Sequence, residues 1–256
     1  MRGPLTKVTN LFNLWKVYKA RSFFIVVAAI LGFAKKESIL TTRSNLKFQV
    51  LLSSRDFTPI AELLLSKPYD FVLGRKDVKN ILDCGAHIGA FTIIAAKAYP
   101  KATIYAFEPG PETYKRLEKN IKLNKVKNVK PFNLALSDKK GYEYLHIKKG
   151  NSVVSSLDKD SRDDFTEKVK VKTELIGNLM AKLGIHAFDV VKMDCEGKEL
   201  PILQNASKKG ILKNSRYVVI DSDDTLPEFE KINSLLKKEG FKFTDSGISY
   251  IIQASQ

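Results

Sequence analysis

The sequence predicts an α/β protein with a doubly wound, mainly parallel sheet of the Rossmann-like kind, and three observations lead to this class. From about residue 78, short apolar segments alternate with longer amphipathic ones. Several short segments, such as Tyr217–Ile220, are apolar at every position, which is typical of strands buried on both faces. Glycines and polar residues follow these segments, as expected at the carboxyl ends of parallel strands. Such alternation joins strands through right-handed crossovers.

The elements before residue 78 do not follow this alternation. Leu11–Ala34 is predicted to be a helix and Lys47–Leu52 a strand. Phe57–Ser66 predicts a second helix, which the turn-prone Asp56 opens and Pro68 ends.

Five strands and five helices are predicted to follow. The strands are Asn80–Cys84, Thr103–Glu108, Val129–Leu136, Asp189–Asp194 and Arg216–Asp221. The helices are Gly89–Ala98, Pro111–Leu123, Glu174–Leu183, Lys198–Lys208 and Glu228–Glu239. Two segments depart from the pattern. Gly141–Ser156 predicts an inserted hairpin, and Phe241–Thr244 with Ser249–Gln253 predicts a terminal hairpin that places one antiparallel strand in the sheet.

Charge and composition divide the chain at about residue 44. Residues 1–50 contain nine Lys or Arg and one acid, so they carry more than half of the formal charge of +15. Residues 1–44 are therefore interpreted as a basic, helical N-terminal extension, and residues 45–256 as the main domain. The two cysteines have no CxxC spacing, which argues against a disulfide scaffold or a zinc site and favours a reducing, cytoplasmic setting.

The N-terminal extension contains an uncharged run of thirteen residues, Ser22–Ala34. A membrane-spanning helix needs about 20 apolar residues. Three interpretations stay open: a helical cap packed on the main domain, attachment to a membrane surface, and a signal peptide.

Acidic residues stand at the predicted strand ends, where ligands bind in doubly wound sheets. The residues collected at these ends are Asp83, Gly85, Gly89, Glu108, Pro109, Gly110, Ser137, Asp138, Asp194, Glu196, Gly197, Glu199, Asp221, Asp223 and Asp224. The dinucleotide pattern G-x-G-x-x-G fails, because His87 and Ala90 occupy its second and third glycine positions. No G-K-[ST] loop occurs either.

Carboxylates without a phosphate cradle suit a cationic ligand that carries hydroxyls, and S-adenosylmethionine (SAM) fits this description. Gly85 and Gly89 would let the backbone pass close to its methionine part. Glu108 would accept hydrogen bonds from both ribose hydroxyls. Asp83 or Asp194 would hold the ammonium group.

Four blocks of sequence resemble the FkbM family of class I SAM-dependent methyltransferases. They are DCGAHIGAFT (83–92), AFEPGPETYKRLEKNIKLN (106–124), FNLALSDKKGYEYLHI (132–147) and VVKMDCEGKELPILQNA (190–206), in the family's order. The resemblance implies a seven-stranded sheet of strand order 3-2-1-4-5-7-6 with strand seven antiparallel. It implies methyl transfer, most often to a hydroxyl of a small molecule, a sugar or a lipid.

The resemblance also implies roles for single residues. Asp83, Gly85, Ala86 and Gly89 line the cofactor, Glu108 and the adjoining Pro109 lie at the ribose, Ser137 and Asp138 lie near the adenine, and Asp194 and Glu196 lie between cofactor and acceptor. Two departures bear on function: His87 replaces the family's usual Asn, and VVIDSDD (218–224) lacks the Glu-x-His that often follows the fifth strand.

A hydroxyl acceptor benefits from a base within hydrogen-bond reach. Asp194 and Glu196 are the leading candidates, and His87 is either a base, a donor to the SAM carboxylate or a residue that orders the loop. No metal site is predicted. The expected acceptor is a small molecule or a glycan. An RNA methyltransferase and an inactive, membrane-associated SAM-binding protein remain as alternatives, the first because of the basic N-terminal segment.

Overall fold

Three β-sheets and nine α-helices make up the described part of this computed structural model, which is residues 11–66, 69–148, 151–157, 165–195, 197–221, 226–244 and 251–256. The strands are β1 Glu37–Thr41, β2 Lys47–Leu51, β3 Asn80–Cys84, β4 Thr103–Phe107, β5 Val129–Phe132, β6 Ala135–Leu136, β7 Gly141–Lys148, β8 Asn151–Ser156, β9 Glu167–Glu174, β10 Val190–Met193, β11 Tyr217–Asp221, β12 Lys242–Thr244 and β13 Ile251–Ser255. The helices are α1 Leu11–Val17, α2 Ala20–Ile30, α3 Phe57–Ser66, α4 Asp70–Leu73, α5 Ala90–Ala98, α6 Pro111–Leu123, α7 Ile176–Leu183, α8 Glu199–Lys208 and α9 Leu226–Lys238. Short 3₁₀ helices occur at Leu52–Ser54 and Leu212–Asn214.

The main sheet has seven strands in the order β5-β4-β3-β10-β11-β13-β12. Strand β13 runs antiparallel to both of its neighbours, β11 and β12, whereas the other neighbouring strands pair in parallel. Counted along the chain, the order is 3-2-1-4-5-7-6 with strand seven antiparallel. The predicted fold class is therefore confirmed.

Alternate residues of the central strands pack against different layers of helices. Leu82 and Val191 belong to a buried cluster that includes residues of α7, α8 and α9. Ile81 and Val190 face the opposite layer, which contains residues of α5. Because both faces are covered, these strands need apolar residues at every position, which is why the sequence contains continuous apolar runs.

The prediction of one continuous helix over Leu11–Ala34 is wrong, because this segment forms two helices, α1 and α2. At the break, Tyr18 forms an isolated antiparallel bridge with Thr42, and the Lys19 backbone N–H donates to the Thr41 carbonyl at 3.0 Å. The Val17 carbonyl likewise accepts the Arg43 N–H at 2.8 Å, so backbone groups on both sides of Tyr18 bond to the segment at the end of β1, which ends the helical ladder.

The N-terminal helices pack on the main domain. Leu14 and Val26 share a buried cluster with Ile88 and Ile93, which lie at the start of α5. Strand β1, which the sequence analysis missed, pairs antiparallel with β2, so residues 44 and 45, the proposed domain boundary, lie in the turn of a hairpin. No helix within the described ranges has the length and apolar character to cross a bilayer.

A second sheet of order β6-β9-β7-β8 carries the predicted hairpin. The predicted strand Val129–Leu136 is divided, because β5 joins the main sheet while β6 pairs parallel with β9. Strand β9 was missed, although its buried Val171 and Thr173 alternate with exposed Lys170 and Lys172 at the period of a strand. Residues 245–250, which include the predicted turn 245–247 and the start of the predicted strand Ser249–Gln253, lie outside the described residues.

Candidate active site

The glycine-rich loop between β3 and α5 is held against two neighbouring strands. Gly85 and Ala86 both donate backbone N–H groups to the Phe107 carbonyl, at 3.1 and 2.9 Å. Gly85 has φ +74°, and a Cβ at this position would lie 1.8 Å from the Asp194 carbonyl oxygen. Only glycine permits this approach, so the loop is pressed onto the end of β10. Gly89, at φ +90°, directly precedes α5.

Glu108 follows β4 and is almost fully buried. Its Oε2 accepts the His87 backbone N–H and its Oε1 accepts the Gly110 backbone N–H, each at 2.9 Å. Burial raises the pKa of Glu108 to about 7, although both backbone hydrogen bonds oppose the shift. The carboxyl is thus fixed beside the loop. Pro109 is anchored nearby, because its carbonyl accepts the Asn133 amide at 3.0 Å.

Lys192 of β10 is a buried residue to which the sequence analysis gave no role. Its Nζ lies 3.2 Å from Asp83 Oδ1 and 3.7 Å from Asp194 Oδ2, and it donates to the Gly85 carbonyl at 2.7 Å. Asp83 raises the pKa of Lys192 well above its usual value against the effect of burial, so the side chain is charged. One ammonium group therefore joins two of the predicted site carboxylates to the loop. The available signal in the sequence was the lysine two residues before Asp194 in the block VVKMDCEGKELPILQNA.

Asp83 and Asp194 differ in accessibility. Asp83 is fully buried and accepts a hydrogen bond from Thr92 as well as the Lys192 contact. The Asp194 side chain is 42% exposed. Of the two carboxylates that the sequence offered to a ligand, Asp194 is the one that a ligand can reach from solvent. Glu196 lies outside the described residues.

Glu199, the first residue of α8, organises the loop after β10. It is buried and accepts the backbone N–H groups of Cys195 and Gly197. Cys195 Sγ lies 2.8 Å from Cys84 Sγ, and both cysteines are free. The hydrogen bond to Cys84, together with burial, raises the pKa of Cys195 well above its usual value, so this thiol is not a nucleophile.

His87 lies in the loop with φ +50° and packs towards a buried ion pair. Its Nε2 is 3.9 Å from Asp56 Oδ1, and Arg116 Nε is 3.2 Å from Asp56 Oδ2. Burial lowers the pKa of His87 to about 4, with Asp56 acting in the opposite direction and Arg116 in the same one. The imidazole is thus neutral near pH 7. Asp56 was predicted only to open α3, and nothing in its local sequence indicates this contact.

Ser137 and Asp138 form a separate polar corner after β6. Ser137 is fully buried and donates to Glu143 Oε2 at 2.5 Å. Asp138 is about half exposed and lies 3.8 Å from Lys198, a buried lysine that is also 3.9 Å from Glu143. Burial would raise the pKa of Asp138, but the Ser137 hydrogen bond and the Lys198 charge hold it below its usual value.

The structure brings most of the predicted residues into two groups. Around the β3–α5 loop, Lys192 links Asp83 and Asp194 to Gly85, and the His87 backbone bonds to Glu108. In the second group, Ser137 donates to Asp138, which lies 3.8 Å from Lys198 in the β10–α8 loop. Within the described ranges, no group of His, Cys, Asp and Glu is arranged to hold a metal ion.

Comparisons with known proteins show which proteins this chain is similar to. A protein-family model described as Methyltransferase FkbM domain matches residues 83–243. Methyltransferase sdnD from Sordaria araneosa is 30% identical over 64% of this chain and 74% of its own length. Methyltransferase 1 from Beauveria bassiana is 26% identical over 70% and 78%, respectively. The 2-O-methyltransferase NoeI from Sinorhizobium fredii is 23% identical over 56% and 63%.

Proposed function

Because the chain belongs to the FkbM family of SAM-dependent methyltransferases, we propose that it methylates a hydroxyl group of a small molecule, a sugar or a lipid-linked glycan. The observation that carries the proposal is Asp194, a solvent-accessible carboxylate fixed at the carboxyl end of β10 beside the glycine loop. One relative is a 2-O-methyltransferase, which supports the choice of oxygen as the acceptor atom.

The residues present fit SAM by their chemistry. Glu108 is a buried carboxylate at the end of the second core strand, which suits a ribose diol that donates two hydrogen bonds. Asp83 is buried and paired with Lys192, so Asp194 and Glu196 divide the two remaining roles, one holding the ammonium group and the other facing the acceptor. We assign Asp138 to the adenine, and Ser137 positions the Asp138 carboxylate by donating a hydrogen bond to it. When bound, SAM supplies the methyl group on a sulfonium, which is already a good leaving group.

The protein's own contribution is then mainly positioning. Lys192 and the Gly85 backbone fix Asp194, and Glu199 fixes the loop that follows it. Asp194, with Glu196 as the alternative, receives the proton of the acceptor hydroxyl. A histidine whose pKa is about 4 is a weak base at neutral pH, so we assign His87 to ordering the loop through its backbone bond to Glu108.

Asp194→Asn tests this assignment. We expect methyl transfer to hydroxylated small molecules and saccharides to fall at least about 100-fold, because a positioned base contributes that much or more. The matched control is Asp189→Asn, at the opposite end of the same strand, where Asp189 accepts the Lys79 and Asn80 backbone N–H groups. Transfer retained by Asp194→Asn would remove Asp194 from an essential role. Transfer to bulk RNA in place of these acceptors would refute the acceptor class.

A further inference from the structure

Exposed apolar side chains are concentrated on the N-terminal helices. Seven of the eleven large hydrophobic side chains that are exposed in the described residues lie between residues 11 and 33, namely Leu11, Phe12, Trp15, Phe24, Ile30, Leu31 and Phe33. We call these seven residues the apolar patch. Phe33 and Phe24 are the most exposed, at 84% and 65%. The Phe23 ring contacts both the Trp15 ring and the Phe24 ring, so exposed aromatic groups of the two helices lie close together. Large exposed apolar surface is typical of an interaction site.

The apolar patch is outward-facing because the other sides of the helices are already packed. On α1, Leu14 and Val17 are buried against the main domain, and on α2, Ser22 and Val26 are buried. Phe24 and Leu31 are seven residues apart and so share the opposite face of α2. Helices held in this way lie along the protein surface and present one side to a partner.

Basic side chains are interleaved with the patch and contact it directly. Lys16 Nζ lies 4.2 Å from the centre of the Phe12 ring, and the Arg43 guanidinium lies 4.7 Å from the Trp15 ring. Lys35 and Lys36, both exposed, follow Phe33. Residues 11–50 contain a single acidic residue, Glu37. Aromatic groups beside ammonium and guanidinium groups form one mixed, strongly cationic surface.

We propose that this surface binds the headgroup region of an anionic lipid bilayer. Aromatic and aliphatic side chains that project beyond basic ones are suited to the boundary between headgroups and acyl chains, where the rings are buried and the lysines meet phosphate and carboxylate groups. An anionic leaflet attracts such a basic segment, and the attraction falls off over a Debye length. The contact is peripheral, because the inner faces of both helices are occupied by the protein core. The inference does not depend on the identity of the methyl acceptor.

Vesicle sedimentation of the full 256-residue chain tests the proposal. We expect binding to phosphatidylcholine vesicles that contain phosphatidylserine, weaker binding to phosphatidylcholine alone, and release at high salt. The double variant Phe24→Ser/Phe33→Ser should weaken binding about tenfold or more, because it removes apolar groups that enter the interface. Lys35→Gln/Lys36→Gln should weaken it by a similar factor, and only on anionic vesicles.

The second sheet offers a matched control on another exposed surface. Tyr142 and Tyr144 are exposed, with Lys170 and Lys168 lying 4.9 Å from their respective ring centres. Tyr142→Ser/Tyr144→Ser should leave vesicle binding unchanged. SAM affinity, measured by calorimetry, should be the same in all variants, which shows that they fold.

Three results would overturn the proposal. The first is a failure of the chain to sediment with anionic vesicles. The second is an equal loss of binding in the Tyr142→Ser/Tyr144→Ser control. The third is a dimer, detected by light scattering without lipid, that Phe24→Ser/Phe33→Ser dissociates, because a second copy of the chain would then cover the apolar patch.

Discussion

Lys192→Met removes the one ammonium group that the structure shows in contact with Asp83 among the described residues, and the expected effect is large. Both side chains are buried, with their charged atoms 3.2 Å apart, and Met retains most of the volume of the lysine stem. Removing one partner of a buried pair leaves an uncompensated charge and costs about 3–5 kcal/mol. For a domain of this size, each 1 kcal/mol lowers Tm by roughly 2–4 °C, so we expect a decrease on the order of 10 °C.

Urea unfolding at neutral pH measures this free energy. The matched control is Lys182→Met: Lys182 pairs with Glu174 at 2.8 Å but is 58% exposed, and the buried Glu174 keeps hydrogen bonds from Leu175 and Asn178, so we expect a loss of about 1 kcal/mol. A loss no larger than that of Lys182→Met would refute the reasoning.

Three further predictions concern the loop and its supports. SAM affinity should fall about tenfold from about pH 8 to about pH 6, because a Glu108 whose pKa is about 7 becomes protonated and loses acceptor capacity for the ribose; calorimetry should show this slope flattened in Glu108→Gln. Gly85→Ala should abolish SAM binding in the same assay, because its Cβ has no space. At the control position Gly184, φ is +66° and an added Cβ meets no atom within 4 Å, so Gly184→Ala should lower the free energy of unfolding by only about 1–2 kcal/mol. Equal effects of the two substitutions on SAM binding would contradict the packing argument. Asp56→Asn should lower the free energy of unfolding by about 3 kcal/mol in urea, because Arg116 stays buried without its carboxylate, and a change below about 1 kcal/mol would count against that ion pair.

Local patterns were sufficient for the core of the fold. The apolar run before Asp83 predicted β3 with its observed bounds, Asn80–Cys84. Helix α6 also has its predicted bounds, Pro111–Leu123, because proline is favoured at the first position of a helix. The sheet order required the family resemblance, since hydrophobic periodicity does not state which strands are neighbours. Strand β9 has an alternation of valine and lysine that is typical of a strand, but its many lysines favour interpreting the segment as a solvated loop.

The sequence by itself determined the class of the fold, the carboxylates at the strand ends and the absence of a phosphate cradle, because these depend on residue type and on spacings of a few positions. Only the tertiary structure decided which groups meet. Lys192 reaches Asp83, and Arg116 reaches Asp56, across long separations along the chain. Such pairs form because folding excludes water from charges that the backbone has already brought together, and burial then makes each partner indispensable to the other. The same process left Asp194 accessible and Asp83 enclosed, a difference that two aspartates ending neighbouring strands do not reveal in sequence.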